Sequence, residues 1–258
     1  MEKQLWKKYT ESMYQTSVWS GGTTTQLAIA PEGAVYGDRS FLWRLSSARV
    51  DLPHSTFTAL PEYDRIIAPL EGQLVMKCGE EACFALKPLE LCAFDGAAET
   101  ESWGTCRDFN LMLRKGQCRG AVQALQLQAG AALQWTPPVL SATLQKQAAN
   151  LVQKQLAIYC VSGEVTLETD GEGLAASAGE LLLCAPFSAY QMATPEQEAA
   201  QQTPGQQKVA EQEGTQQQTA QQIGGVEAAA ATLPGAVSLR SQKGAVLMAA
   251  VMEAVDLR

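Results

Sequence analysis

Through the first 190 residues, apolar and polar positions alternate over short runs separated by turn residues, a pattern that predicts strands and little helix. The run Phe41-Leu42-Trp43-Arg44-Leu45-Ser46 puts 41, 43 and 45 on one face of a strand and Arg44 and Ser46 on the other. Asp108-Phe109-Asn110-Leu111-Met112-Leu113-Arg114 divides in the same way, with Phe109, Leu111 and Leu113 opposed to Asp108, Asn110 and Arg114. Each strand is therefore expected to be half buried and half polar. Short strands at this spacing build a sandwich or a barrel.

Part of the pattern occurs twice. Leu70-Glu71-Gly72-Gln73-Leu74-Val75-Met76-Lys77 is similar to Val161-Ser162-Gly163-Glu164-Val165-Thr166-Leu167-Glu168, and Leu91-Cys92-Ala93-Phe94 is similar to Leu183-Cys184-Ala185-Pro186. The two shifts are 91 and 92 residues, and near-equal shifts favour duplication over chance. In each copy a glycine turn opens an alternating strand, and a second apolar strand follows after a short hairpin. This arrangement resembles the middle of a cupin jelly roll. The expectation is an all-β bicupin of two jelly-roll (double-stranded β-helix) barrels, the first over residues 1–116 and the second over 117–258.

Residues 191–235 break the pattern, being dominated by Gln, Ala, Glu and Thr with almost no large apolar side chain. Such a segment cannot bury enough surface to offset its ordering entropy. It is expected to be a disordered, solvated insertion in the second barrel, after which the apolar stretch from Ala236 to Val255 returns to the sheet.

Composition narrows the function classes. With 258 residues, 46% of them hydrophobic and 18% charged, the chain can bury a sizeable core. A net charge of -8, with no basic run beyond Lys7-Lys8, argues against nucleic acid as a partner. The seven cysteines, at 78, 83, 92, 106, 118, 160 and 184, never fall in a C-x-x-C spacing, so they read as reduced, mostly buried side chains. The opening residues lack the apolar stretch of a signal peptide, and no run is long enough for a spanning helix. A cytoplasmic protein with no membrane partner is expected.

Candidate chemistry starts from a scarcity. Cupins usually bind a transition metal through several histidines and a glutamate, whereas this chain has one histidine, His54, beside Pro53 in an expected surface loop. Gly179-Glu180-Leu181-Leu182-Leu183-Cys184-Ala185-Pro186 with Tyr190 resembles the second cupin motif, but with tyrosine at the usual ligand histidine. No metal and no other cofactor is expected.

The first half carries a closer resemblance, to the HutD/Ves family. It rests on Trp19 to Ala28, Phe41 to Ala48, Phe57-Thr58-Ala59-Leu60-Pro61-Glu62-Tyr63-Asp64-Arg65, Leu70-Glu71-Gly72, Phe94-Asp95-Gly96 and Asp108-Phe109-Asn110-Leu111-Met112, in the family's order. The chain departs from the family at Glu62, where a glycine is usual, at Ser55-Thr56 in place of Gly-Pro, and at Ala97 in place of an aspartate.

The groups on the polar strand faces, Arg44, Ser46, Tyr63, Asp64, Arg65, Asp108 and Asn110, are the candidate ligand-binding residues. Arg44 and Arg65 are the natural anion binders, since a guanidinium grips a carboxylate bidentately. For each residue alone, a purely structural ion pair is equally consistent. The indoles Trp19 and Trp43 read as core. The resemblance implies a regulatory or accessory protein of histidine utilisation, possible as a homodimer, binding a small anionic metabolite such as urocanate or a formylated or formiminated glutamate. An alternative is a metal-independent isomerase, epimerase or lyase, with Asp108 or Asp64 as base and Tyr63 as acid.

Overall fold

The computed structural model describes residues 6–140, 152–169, 172–184, 187–188 and 236–255. The insertion expected at 191–235 lies outside the described residues. All of the described residues fall in one compact unit, 1–189 together with 235–258. Among them there is no α-helix, only two 3-10 turns at Glu11–Met13 and Tyr36–Asp38. Among the described residues no helix is long and apolar enough to cross a membrane.

The strands of the first half are β1 (Trp6–Tyr9), β2 (Gln15–Trp19), β3 (Gly22–Ala30), β4 (Trp43–Val50), β5 (His54–Thr56), β6 (Tyr63–Gly72), β7 (Leu74–Cys78), β8 (Phe84–Leu86), β9 (Cys92–Asp95), β10 (Thr100–Trp103) and β11 (Cys106–Arg114). Those of the second half are β12 (Cys118–Leu127), β13 (Ala132–Trp135), β14 (Val152–Thr169), β15 (Glu172–Ser177), β16 (Leu181–Cys184), β17 (Phe187–Ser188), β18 (Val237–Arg240) and β19 (Ala245–Val255).

In the first half a six-stranded sheet, ordered β2-β3-β4-β11-β6-β9, faces a four-stranded sheet, β5-β10-β7-β8, and the two form the sides of the first barrel around an apolar cluster that includes Val50, Ile67, Leu74 and Met76. The second half is one nine-stranded sheet in which the long β14 pairs with β15, β16, β17, β18 and β19. The first strand crosses the expected boundary at 116/117, because β1 pairs with β16 of the second half.

The repeat has a physical cause. Gly72 and Gly163 both adopt a positive φ, 82° and 77°. A Cβ on Gly72 would stand 2.3 Å from the Thr105 carbonyl oxygen, and one on Gly163 2.0 Å from that of Gly244. Beside each, the register shifts by a bulge, between Arg107 and Asp108 in one half and between Cys160 and Ser162 in the other. Only glycine tolerates that conformation and that approach together.

The expectation that β4 and β11 are half buried is corrected. Trp43 to Ser47 and Asp108 to Leu113 are buried without interruption. The reason is that the six-stranded sheet is covered on both sides. Its outer face, with Leu27, Trp43, Leu45, Phe109, Leu111 and Leu113, packs on Tyr159, Leu181, Leu183, Met248, Ala250 and Met252 of the second half. Its inner face looks into the first barrel.

Candidate functional site

Register builds the site. In one row across the six-stranded sheet stand Arg44, Met112, Arg65 and Phe94, and in the next stand Gln26, Ser46, Asn110, Ile67 and Cys92. Opposite residues in neighbouring strands share a face, so both rows point into the barrel. Arg44 and Arg65 are two strands apart, about 10 Å at the backbone, with Met112 between them.

The first half buries many more polar groups than the second. Of the buried polar or charged residues among those described, Arg44, Ser46, Ser47, Ser55, Arg65, Thr100, Ser102, Asp108 and Asn110 belong to the first half, and only Ser241 to the second. The core of the second half consists of aliphatic residues, cysteines and Trp135. Burying polar groups is costly unless they are paired, so this concentration makes the first barrel the candidate site.

Arg65 is the most exceptional of them. It is 6% exposed, its guanidinium lies over the rings of Phe57 and Phe94 at 4.9 and 5.1 Å, and its buried Nε has no hydrogen-bond partner. Burial pushes its pKa down to about 10, with Tyr36 and Asp108 opposing that shift and Arg44 adding to it. It therefore remains a cation at neutral pH. Arg44 is also held below the usual arginine range, chiefly by burial. Its Nε donates to Gln26 Oε1 at 2.8 Å, its Nη1 to Ser46 Oγ at 3.3 Å, and its guanidinium stands over Tyr36 at 4.3 Å. Asn110 Oδ1, Ser55 Oγ and Trp19 Nε1 are likewise buried without a partner.

Asp108 is buried and accepts the Ala48 N–H on Oδ1 at 3.0 Å, while Ser47 Oγ donates to its backbone carbonyl at 2.6 Å. Burial pushes its carboxyl up to about 6, against the pull of the Ala48 hydrogen bond and of Arg65 and Arg107.

Five of the seven expected residues thus meet on one inner face: Arg44, Ser46, Arg65, Asp108 and Asn110. Tyr63 and Asp64 do not join them. Tyr63 stacks on Phe41 at 4.3 Å at the end of the barrel, and its hydroxyl lies 2.9 and 3.0 Å from the carbonyl oxygens of Arg39 and Phe41. It pins the loop between β3 and β4. Asp64, one residue out of phase with Arg65, is exposed on the other face, because alternation along β6 sends it outward. His54 is exposed and its Nε2 lies 3.3 Å from Glu101. Trp19 is half buried, its ring filling the space beside Gly21, where a Cβ would meet the indole at 2.1 Å.

Sequence reasoning missed Gln26, which holds Arg44, the aromatic walls Phe57 and Phe94, and the loop residues Tyr36 and Arg39. Gln26, Phe57 and Phe94 lie in or beside quoted motifs, and strand parity across β3 and β9 would have found two of them. Nothing in the pattern marks Tyr36 and Arg39, which depend on the shape of a loop. A separate cleft of about 650 Å³, lined by Lys7, Tyr9, Gln15, Trp43 and Gln155 among others, lies on the outer side of the sheet and shares only Gln26 with the barrel site. The buried cations lie inside the barrel. Among the described residues no three His, Cys, Asp or Glu side chains come together as metal ligands would.

Two facing sheets with these strand orders give a cupin-type fold. A bacterial pirin from Escherichia coli, solved in complex with nickel(II), shares the fold at a TM-score of 0.55 with 7% identity, over 98% of this chain and 100% of that one. The sequence matches the HutD family over residues 11–210, and the chain belongs to that family. Two further solved structures share its fold. One is a conserved protein of unknown function from Pseudomonas aeruginosa PAO1, with TM-score 0.64 and 18% identity over 96% of this chain and 98% of that. The other is HutD from Pseudomonas fluorescens SBW25, with TM-score 0.57 and 16% identity over 98% and 100%. No curated protein matches the sequence.

Proposed function

We propose that the first barrel is a metal-independent binding site for a small organic acid, and that the chain acts as a ligand-responsive accessory or regulatory protein rather than an enzyme. The observation that carries this is Arg65, a buried cation with an unpaired Nε and two aromatic walls. A buried guanidinium without an anionic partner is unfavourable, and a carboxylate arriving between Arg65, Arg44 and Asn110 would offset that cost. The same two cations would repel a metal ion from this interior. Membership of the HutD family supports histidine utilisation as the setting, with urocanate or a formylated or formiminated glutamate as the acid.

The test is calorimetric titration with urocanate and N-formylglutamate. Arg65→Gln should lose at least about a hundredfold in affinity while Arg119→Ala, whose guanidinium pairs with Glu253, should bind as the parent does. Equal binding by parent and Arg65→Gln would sink the assignment.

A second reading, a lyase or isomerase, draws on Asp108, whose carboxyl at about 6 suits a general base. Tyr63, the acid such a reaction would use, has its hydroxyl committed to loop carbonyls. Deuterium entering a bound acid from heavy water, and failing to enter with Asp108→Asn, would favour that reading.

A further inference from the structure

The arginines among the described residues fall into two groups. Arg49, Arg107, Arg119 and Arg240 each pair with a carboxylate, at 2.8, 2.6, 2.6 and 3.0 Å. Arg39, Arg44, Arg65 and Arg114 pair with none among the described residues, and these four are neighbours. The guanidinium carbons of Arg39 and Arg44 stand 3.9 and 4.3 Å from the ring centroid of Tyr36. Arg65 feels the charge of Arg44, Arg44 feels that of Arg39, and both feel Tyr36. Arg114 Nη1 donates to the Arg39 carbonyl at 2.8 Å and to Tyr63 Oη at 3.1 Å. In a chain of net charge -8, four cations without an ion-pair partner among the described residues, gathered at one end of one barrel, run against the composition.

The loop is built to hold Arg39 there. Its φ is 53°, a left-handed conformation that residues other than glycine rarely take. Its carbonyl is fixed by Tyr63 and Arg114, and Nη1 donates to the Tyr36 carbonyl at 3.2 Å. The side chain is half buried, lying over Tyr36 rather than in solvent.

We infer that Arg39 is an outer anion subsite, so that the barrel selects acids with two negative groups, one held by Arg65 and Arg44 and the other by Arg39 at the mouth. Because Arg39 and Arg44 lie over one ring, the gap between their guanidinium carbons cannot exceed the sum of two short distances, a span that a short diacid covers. The inference rests on the reading of the barrel as an acid-binding site.

The experiment compares glutarate with glutaramate, which has the same length and one charge fewer, by calorimetric titration at about pH 7.5. The parent should bind glutarate at least about tenfold more tightly, as expected for one added charge-assisted contact. Arg39→Gln should bring that ratio close to one while leaving glutaramate affinity within about twofold, and Arg39→Lys should restore part of the preference. Arg65→Gln should weaken both acids. Parent protein binding the two acids equally, or Arg39→Gln weakening both alike, would overturn the outer subsite and leave the barrel reading intact. Failure of the parent to bind either acid, or binding indifferent to Arg65→Gln, would overturn both.

Discussion

Arg65 and Asp108 stand on neighbouring strands, β6 and β11, and face the same interior, yet they form no ion pair. Asp108 turns its Oδ1 to the Ala48 N–H, and Arg65 is left between Phe57 and Phe94. Asp108 stands opposite Pro69 and Arg65 opposite Met112, four positions along the sheet, so each carboxylate and guanidinium feels the other only at a distance. Their separation keeps the guanidinium open to a ligand and leaves a carboxyl whose charge the ligand must tolerate.

Acid binding should therefore depend on pH around Asp108. Its carboxyl titrates at about 6, so as pH falls from 7.5 to 5 it gains a proton and the interior becomes more positive. The affinity for a carboxylate that stays ionised should rise across that window, levelling off below it. Asp108→Asn should bind at pH 7.5 as tightly as the parent does at pH 5, with a flat profile. Titrations at three pH values check this, and a parent profile as flat as that of the variant would refute it.

The same group makes a stability prediction of fixed sign. The folded-state pKa of Asp108 lies above the ordinary 3.8, so the stability it contributes is fully present below about 3.8 and is lost as pH rises through 6. At pH 7.5 the charged form costs on the order of 3 kcal/mol. Asp108→Asn keeps an oxygen for the Ala48 N–H and removes the charge, so it should be more stable than the parent at pH 7.5 and lose that advantage near pH 4. Urea unfolding at the two pH values measures the difference.

Arg65 should show the opposed demands of stability and binding. Arg65→Met places an apolar chain of similar length between Phe57 and Phe94 and removes an unpaired buried charge. Stability should be unchanged or higher by about 1 to 3 kcal/mol, with acid binding abolished. A purely structural arginine would behave otherwise, and loss of stability in Arg65→Met would count against the ligand role.

How much of this was readable beforehand follows from parity and its limits. Alternation along single strands suffices to place Arg44 with Ser46 and Asp108 with Asn110, and the glycine turns at 72 and 163 expose the repeat. Alternation does not say which face meets a second sheet, which is why both faces of β4 and β11 prove buried. Asp64 was grouped with Arg65 by motif although strand parity separates them. Tyr63 has the right parity but sits at the barrel's end, where its hydroxyl meets loop carbonyls. Tyr36 and Arg39 meet Arg44 only through a loop with a left-handed residue, and no periodicity encodes that.

The shared core predicts that the two halves unfold together. Trp43, 1% exposed, packs with residues of both halves and donates its indole N–H to Gln155 Oε1 at 3.1 Å, and β1 adds its backbone to the other half's sheet. Separating the halves would expose Leu45, Phe109, Leu111, Met248 and Met252 to water at once, a cost that neither half can recover alone. Hydrogen exchange in mild urea, followed by mass spectrometry, should therefore show peptides from β11 and β19 losing protection at the same denaturant concentration. Trp43→Ala should cost about 3 to 5 kcal/mol, because it leaves a cavity and an unpaired Gln155. It should also split the transition, with β11 and β19 opening at different concentrations. Trp43→Phe fills most of the space and lacks only the donor, so it should cost less and keep a single transition. If β11 and β19 already lose protection separately in the parent protein, the halves are independent barrels in contact, and the shared core does not couple them.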